Sequence, residues 1–188
     1  MLHRVRRDGS AESALDSGAH SKVDTGAMTG DTPDCCCPPS EAQVEALHCP
    51  QSRTRGMRVP LDTVKALLRD TAMRRLTPSE HAFCPDPGCP VVYFTADGDL
   101  YVTTDIRVPV WQKEPFGART ICYCFGENEA DMRREVERTG ASDAVARVRS
   151  HIKAERCACE VRNPRGVCCL GDVTEAVRRV SATSVVER

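Results

Sequence analysis

The chain has 188 residues, with 26 basic and 27 acidic side chains and a formal net charge of −1. Near-neutral charge excludes a general electrostatic attraction to nucleic acid or anionic membranes. No stretch approaches the roughly 18 consecutive apolar residues of a membrane span, and the arginines near the start precede no apolar h-region, so a cytoplasmic protein without membrane insertion is expected. Cysteine stands out, at 12 residues, against eight aromatic side chains. With so few aromatics the core is modest and needs another stabiliser, either disulfides or metal. In a chain read as cytoplasmic, metal is the expected one.

Residues 1–34 combine scattered apolar residues with many Ser, Gly and Asp and show no period, so a disordered tail is expected there. Cys35, Cys36 and Cys37 follow as a triplet, whose clustered thiols suit a soft ion such as Cu(I) or a single zinc ligand with two spectators. Arg53, Arg55 and Arg58 read as a solvated face rather than a nucleic-acid patch. Leu61, Val64, Leu67 and Leu68 repeat at helical spacing, with Asp62 as a candidate N-cap.

All the aromatics lie between Phe83 and Phe125, in a region that reads mostly as β. Val91–Phe94 is an expected strand, Asp97-Gly98 a turn, and Leu100–Thr103 the returning hairpin partner. Ile106–Trp111 is expected as a third strand, at an edge because of Pro109. Cys84 and Cys89 bracket Pro85-Asp86-Pro87-Gly88 just before the hairpin. Two thiolates presented across such a turn make half of a tetrahedral zinc site.

A module boundary is placed at Gly117, giving an α/β module over 35–117 and a helical module over 118–188. In the second, Asn128 caps a helix carrying Met132 and Val136, and Gly140 closes it. Ser142 is the expected cap of a helix with Val145, Val148 and Ile152 on one stripe. Asp172 is the expected cap of another, with Val173, Ala176, Val177 and Val180. Cys122/Cys124 and Cys157/Cys159 form C-x-C pairs, and Cys168/Cys169 are adjacent. Disulfides between such near neighbours are strained. Four converging thiolates suit Zn²⁺ or an iron–sulfur cluster; zinc knuckles favour C-x₂-C, so C-x-C spacing tilts the choice toward iron. No Ser/His/Asp arrangement, paired carboxylates or phosphate loop stands out, and no enzymatic activity is expected.

The segment from Ile121 to Val173, with C-Y-C-F followed by C-x-C-E-x-x-N-P-x-G-x-C-C-L-G, resembles the [2Fe–2S] module of CopZ-type copper chaperones, itself similar to bacterioferritin-associated ferredoxins. The resemblance extends back through Phe83–Phe94 to Cys49-Pro50, covering roughly residues 45–180. It implies an α+β protein: a zinc-binding helix and β-hairpin module, then a helical [2Fe–2S] module. It also implies a role in copper homeostasis, in which an incoming ion is reduced by one electron and handed on as Cu⁺ by thiolate exchange. The implied partners are a redox partner and either a copper-transporting ATPase or a separate small copper chaperone, because no M-x-C-x-x-C motif occurs in these residues. A ferredoxin-like electron carrier and a zinc-ribbon adaptor are the alternatives.

Six cysteines compete for four cluster positions: Cys122 and Cys124 are expected ligands, joined by Cys159 and Cys169, with Cys157 and Cys168 as close alternates. Adjacent side chains at 168 and 169 point in different directions, so one of the two ligates. In CopZ-like relatives an upstream C-P-x-C completes the zinc site. Here it reads Cys49-Pro50-Gln51-Ser52, and serine is a poor zinc ligand. The expected zinc set is Cys49, Cys84, Cys89 and Cys37, with Cys35, Cys36 or His48 as substitutes for Cys37 and His81 a further imidazole.

Overall fold

The computed structural model describes residues 46–186. The expected tail and the Cys35–Cys37 triplet lie outside the described residues. Within them, four short strands form an antiparallel sheet in the order β1 (Met57–Val59), β2 (His81–Phe83), β3 (Val91–Thr95), β4 (Leu100–Val102). Helices α1 (Leu61–Leu67) and α2 (Asp70–Met73) sit between β1 and β2 in the chain. A two-stranded ribbon, β5 (Thr120–Cys122) with β6 (Glu127–Asn128), leads into α3 (Glu129–Thr139), α4 (Ala144–Lys153), α5 (Cys159–Arg162) and α6 (Leu170–Val186). The α+β class expected from the sequence is the one observed. No helix of the described residues is long and apolar enough to cross a membrane.

The central strands β2 and β3 are buried on both faces, and strand alternation decides what each face does. Phe83, Tyr93 and Tyr101 turn toward Val64, Leu67 and Leu68 of the α1 region and toward Ala72 of α2. Ala82, Cys84 and Phe94 turn the other way, where Cys49 and Cys89 join them. A register shift between Val91 and Tyr93 lets Val92 and Tyr93 share the helix-facing core while Val91 and Phe94 share the thiol-facing one. The loop bearing Cys49 presses closely on this second face. At Gly56 a Cβ would come within 2.5 Å of Phe94 and 2.7 Å of Ala82, so only glycine allows the approach.

Ile106–Trp111 is not a third strand. Ile106 makes a single bridge to Leu68, and the Arg107 N–H donates to the Leu67 carbonyl at 2.8 Å. The segment therefore ties down the α1–α2 connection and ends in a 3₁₀ turn at Trp111–Lys113. The sheet's remaining partners are instead β1 and β2. Asp62 is not the N-cap of α1 either: Pro60 occupies that place, and the helix stops at Leu67 because Leu68 is extended. Asn128 caps α3 as expected, its side chain accepting from the Asp131 N–H at 2.9 Å. Gly140 closes it with a left-handed φ of 82°. For α4 the Ser142 hydroxyl accepts from the Ala144 N–H at 3.3 Å, although Asp143 holds the N-cap position. Asp172 lies inside the first turn of α6 and pairs with Arg165 at 2.5 Å rather than capping.

Helices α3, α4 and α6 pack through Met132, Val136, Ala144, Val148, Val173, Ala176 and Val180, with Ile121, Cys122, Cys159 and Cys169 in the same core. With aromatics scarce, buried charge helps to order this half. Arg119 and Glu129 form a bidentate pair, at 2.9 and 2.5 Å, with side chains only 6% and 3% exposed. The segment bearing the last four cysteines also leans on the sheet half. The Tyr93 hydroxyl donates to the Pro164 carbonyl at 2.8 Å, and Thr63 of α1 donates to the Glu160 carbonyl. Gly166, at φ 68°, lies so near α1 that a Cβ would come within 2.7 Å of Thr63 Oγ1.

Candidate metal centres

Two thiolates on one tetrahedral metal, each about 2.3 Å from the ion, stand about 3.8 Å apart. That distance is a ruler for both cysteine clusters. In the sheet half, Cys49 Sγ and Cys89 Sγ are 3.9 Å apart. The Sγ atoms of Cys49, Cys84 and Cys89 all lie within 4.8 Å of one another. All three residues are buried, at 0%, 0% and 5% exposure.

Local chain geometry builds this site. The Cys49 N–H donates to the Thr54 carbonyl at 2.9 Å and the Arg53 N–H donates to the Cys49 carbonyl at 2.8 Å. The loop closes with Arg53 in the left-handed region at φ 62°. On the other side, the Gly88 N–H donates to the Asp86 carboxylate at 2.9 Å, fixing the turn between Cys84 and Cys89. Burial pushes the Cys49 thiol up, but the Ser52 backbone and side chain and the Gln51 backbone overcome it and bring Cys49 down to about 7. Burial pushes Cys89 up. An incoming divalent ion takes thiolate ligands and so displaces the thiol protons.

Ser52 is part of the same cluster. Its Oγ lies 3.4 Å from Cys84 Sγ and accepts from the Thr54 N–H at 3.4 Å. His48 is exposed, bridges to Arg55 and lies outside the group of ligand atoms. His81 turns to the opposite sheet face, its Nδ1 2.8 Å from the Ser79 carbonyl oxygen and its ring near Tyr101. Cys35, Cys36 and Cys37 lie outside the described residues.

In the helical half, Cys122 ends β5, Cys124 lies in the β5–β6 turn, Cys159 opens α5, and Cys169 immediately precedes α6. Cys124 Sγ and Cys159 Sγ are 3.8 Å apart, and the Ala158 N–H donates to Cys124 Sγ at 3.3 Å. Cys122 and Cys169 form the second pair, in side-chain hydrogen-bond contact. The hydrogen bond from Cys169, opposed by burial and aided by the Phe125 and Cys124 backbones, lowers Cys122 to about 7. The same contact and burial hold Cys169 protonated. Burial raises Cys159 to about 12. Cys157 is half-buried and feels the charges of Cys124, Cys122 and Cys168, whereas Cys168 is exposed. Phe125, next to Cys124 in the chain, stacks on His151 with ring centroids 3.7 Å apart. The structure therefore brings Cys122, Cys124, Cys159 and Cys169 together, with Cys157 in contact with Cys159 and Cys168 exposed.

A fold with a buried three-thiol group and two further thiol pairs defines a cysteine-rich metal-binding protein. Residues 46–107 match the zf_CopZ family, described as a zinc binding domain. The matched stretch contains Cys49, Ser52, Cys84 and Cys89. The structure is similar to the crystal structure of the Archaeoglobus fulgidus CopZ N-terminal domain, with a TM-score of 0.57 and 26% sequence identity. The similarity covers 69% of this chain and 96% of that one. No curated protein matches the sequence. The sheet half thus matches a zinc-binding domain family, and the fold is similar to that of a CopZ N-terminal domain.

Proposed function

We propose that this protein handles copper, or another thiophilic metal, as an iron–sulfur and zinc metallochaperone or redox accessory. Cys122, Cys124, Cys159 and Cys169 hold a [2Fe–2S] cluster in this reading, and Cys49, Cys84 and Cys89 hold zinc. One observation carries it: the four thiols stand as two pairs, one of them 3.8 Å apart. A single zinc ion would draw all four to about 3.8 Å of one another. Yet the one group of three or more ligand atoms mutually within 4.8 Å among the described residues is Cys49, Cys84 and Cys89. The pairs touch through Cys159 and Cys169, yet no three of the four sulfurs lie mutually within 4.8 Å, which suits two adjacent metal atoms with one pair to each.

Such a cluster supplies a one-electron redox couple. The chain's own part is to present four thiolates, with the Ala158 N–H on Cys124 and the Phe125 and Cys124 N–H groups on Cys122 favouring the anionic sulfurs. One electron from an external one-electron donor converts Cu(II) to Cu(I), which soft thiolates then retain and pass on. The recipient in this reading is a copper-transporting ATPase or a separate small copper chaperone, and the protein works in the cytoplasm as a carrier rather than an enzyme.

An anaerobic titration tests the proposal. Dithionite-reduced, desalted protein receives one equivalent of Cu(II). The expected result is return of the oxidised visible bands, with copper still bound as Cu(I) after a second desalting. Return of the bands with all copper lost on desalting would support a ferredoxin-like electron carrier without metal cargo. No reoxidation would remove the redox step.

A further inference from the structure

The three-thiol site is lopsided. Cys49, Cys84 and Cys89 are buried, whereas Ser52 is partly exposed. Its place is that of a ligand. A zinc ion with a thiolate at about 2.3 Å and an oxygen at about 2.0 Å separates those two atoms by about 3.5 Å. Ser52 Oγ and Cys84 Sγ are 3.4 Å apart. The loop that fixes Cys49 also fixes Ser52, through the Thr54 N–H and the left-handed Arg53. Among the described residues neither His48 nor His81 competes for this position.

We propose that Ser52 fills the fourth position as a neutral hydroxyl, and that Cys49, Cys84 and Cys89 form an exchange site that yields Zn²⁺ to a soft monovalent cation of the Cu(I) type. The inference rests on the zinc reading above. Zinc in a closed structural site takes four strong ligands. A hydroxyl that keeps its proton gives it three strong ligands and one weak one, on the side that water reaches. Cu(I) binds through soft thiolates and loses nothing when the fourth ligand is oxygen. The serine therefore weakens zinc selectively. No electron moves in the exchange: Cu⁺ enters, Zn²⁺ leaves, the three thiolates remain and Ser52 keeps its proton. The fold thereby offers its own cargo site, close to the sheet and separate from the paired thiols of the helical half.

The test uses full-length, zinc-loaded protein under anaerobic conditions, with Cu(I) supplied as its bicinchoninate complex and zinc release followed with pyridylazoresorcinol. Wild type should release its zinc as Cu(I) binds, with the visible bands of the helical half unchanged. Ser52→Cys should slow zinc release by more than about 100-fold, since even outer-shell partners of a metal are worth roughly 10–100-fold. Its far-ultraviolet circular dichroism should match wild type. A triple variant, Cys35→Ser with Cys36→Ser and Cys37→Ser, should release zinc at the wild-type rate. Faster release from the triple variant would overturn the proposal, because the triplet would then supply the fourth ligand. Equal rates for wild type and Ser52→Cys would also overturn it. If neither wild type nor Ser52→Cys retains zinc at any stage, the zinc reading itself has failed, and the exchange site with it.

Discussion

Cys124→Ser and Cys159→Ser are each expected to abolish the visible charge-transfer bands and to leave almost no iron on the protein. The two sulfurs are 3.8 Å apart, the separation of two ligands on one tetrahedral metal. In the proposed cluster, removing either takes half the protein ligands from one iron. Serine does not replace them, because its hydroxyl resists deprotonation. Cys122→Ser and Cys169→Ser should do the same through the second pair. Cys168→Ser, at an exposed position, and Cys157→Ser, at a half-buried one beside Cys159, should retain the bands in the proposed assignment. Loss of colour in Cys157→Ser or Cys168→Ser, with Cys159→Ser or Cys169→Ser unaffected, would move the assignment to the alternate residue of that pair.

Glu129→Ala should destabilise the protein by about 3–5 kcal/mol, the usual cost of removing one member of a buried ion pair. Glu129 accepts from Arg119 through both oxygens, from the Gly117 N–H at 2.9 Å and from Arg179 at 3.3 Å. Without it, Arg119 is left buried beside Trp111 and Phe116 with no counter-charge. Burial alone would raise the Glu129 carboxyl, but Arg119, the Gly117 N–H and Arg179 outweigh it and bring it down to about 2 from an ordinary 4.5. A depressed carboxylate stabilises the fold fully above its unfolded value. That contribution falls away as pH drops from about 4.5 toward 2, and over that interval it amounts to about 3 kcal/mol. Chemical denaturation of wild type and Glu129→Gln should therefore give a stability difference that is widest above pH 4.5 and shrinks below it. Comparing the two cancels metal loss at low pH, which both undergo. A pH-independent difference would contradict the account.

Neither the Arg119–Glu129 pair nor the docking of the last cysteines onto α1 could be read from the sequence. Arg119 and Glu129 look like two charges among many until the β5–β6 ribbon turns one onto the other. Gly166 reads as an ordinary turn residue, and only the fold places it against Thr63. Strands β1 and β2 span three residues each, too short for a period of two to register. Ile106–Trp111 has strand-like composition, but its backbone bonds go to the α1–α2 connection instead. By contrast, the hairpin of β3 and β4 announced itself through β-rich runs on either side of Asp97-Gly98. The Met132/Val136 and Val173/Ala176/Val180 stripes carry helical spacing and lie in the core. The grouping of Cys84 with Cys89 was legible from the intervening turn, and the approach of Cys49 from the likeness to C-P-x-C. What spacing could not convey was the place of Ser52, which depends on how the Cys49 loop closes against the sheet.

The most direct test of the two-centre account is quantitative metal and acid-labile sulfide analysis of anaerobically purified protein. About two iron atoms and two sulfides per chain, together with about one zinc, are the predicted result. Zinc alone, with colourless protein after attempted cluster reconstitution, would contradict it and leave a zinc-binding adaptor with no redox centre.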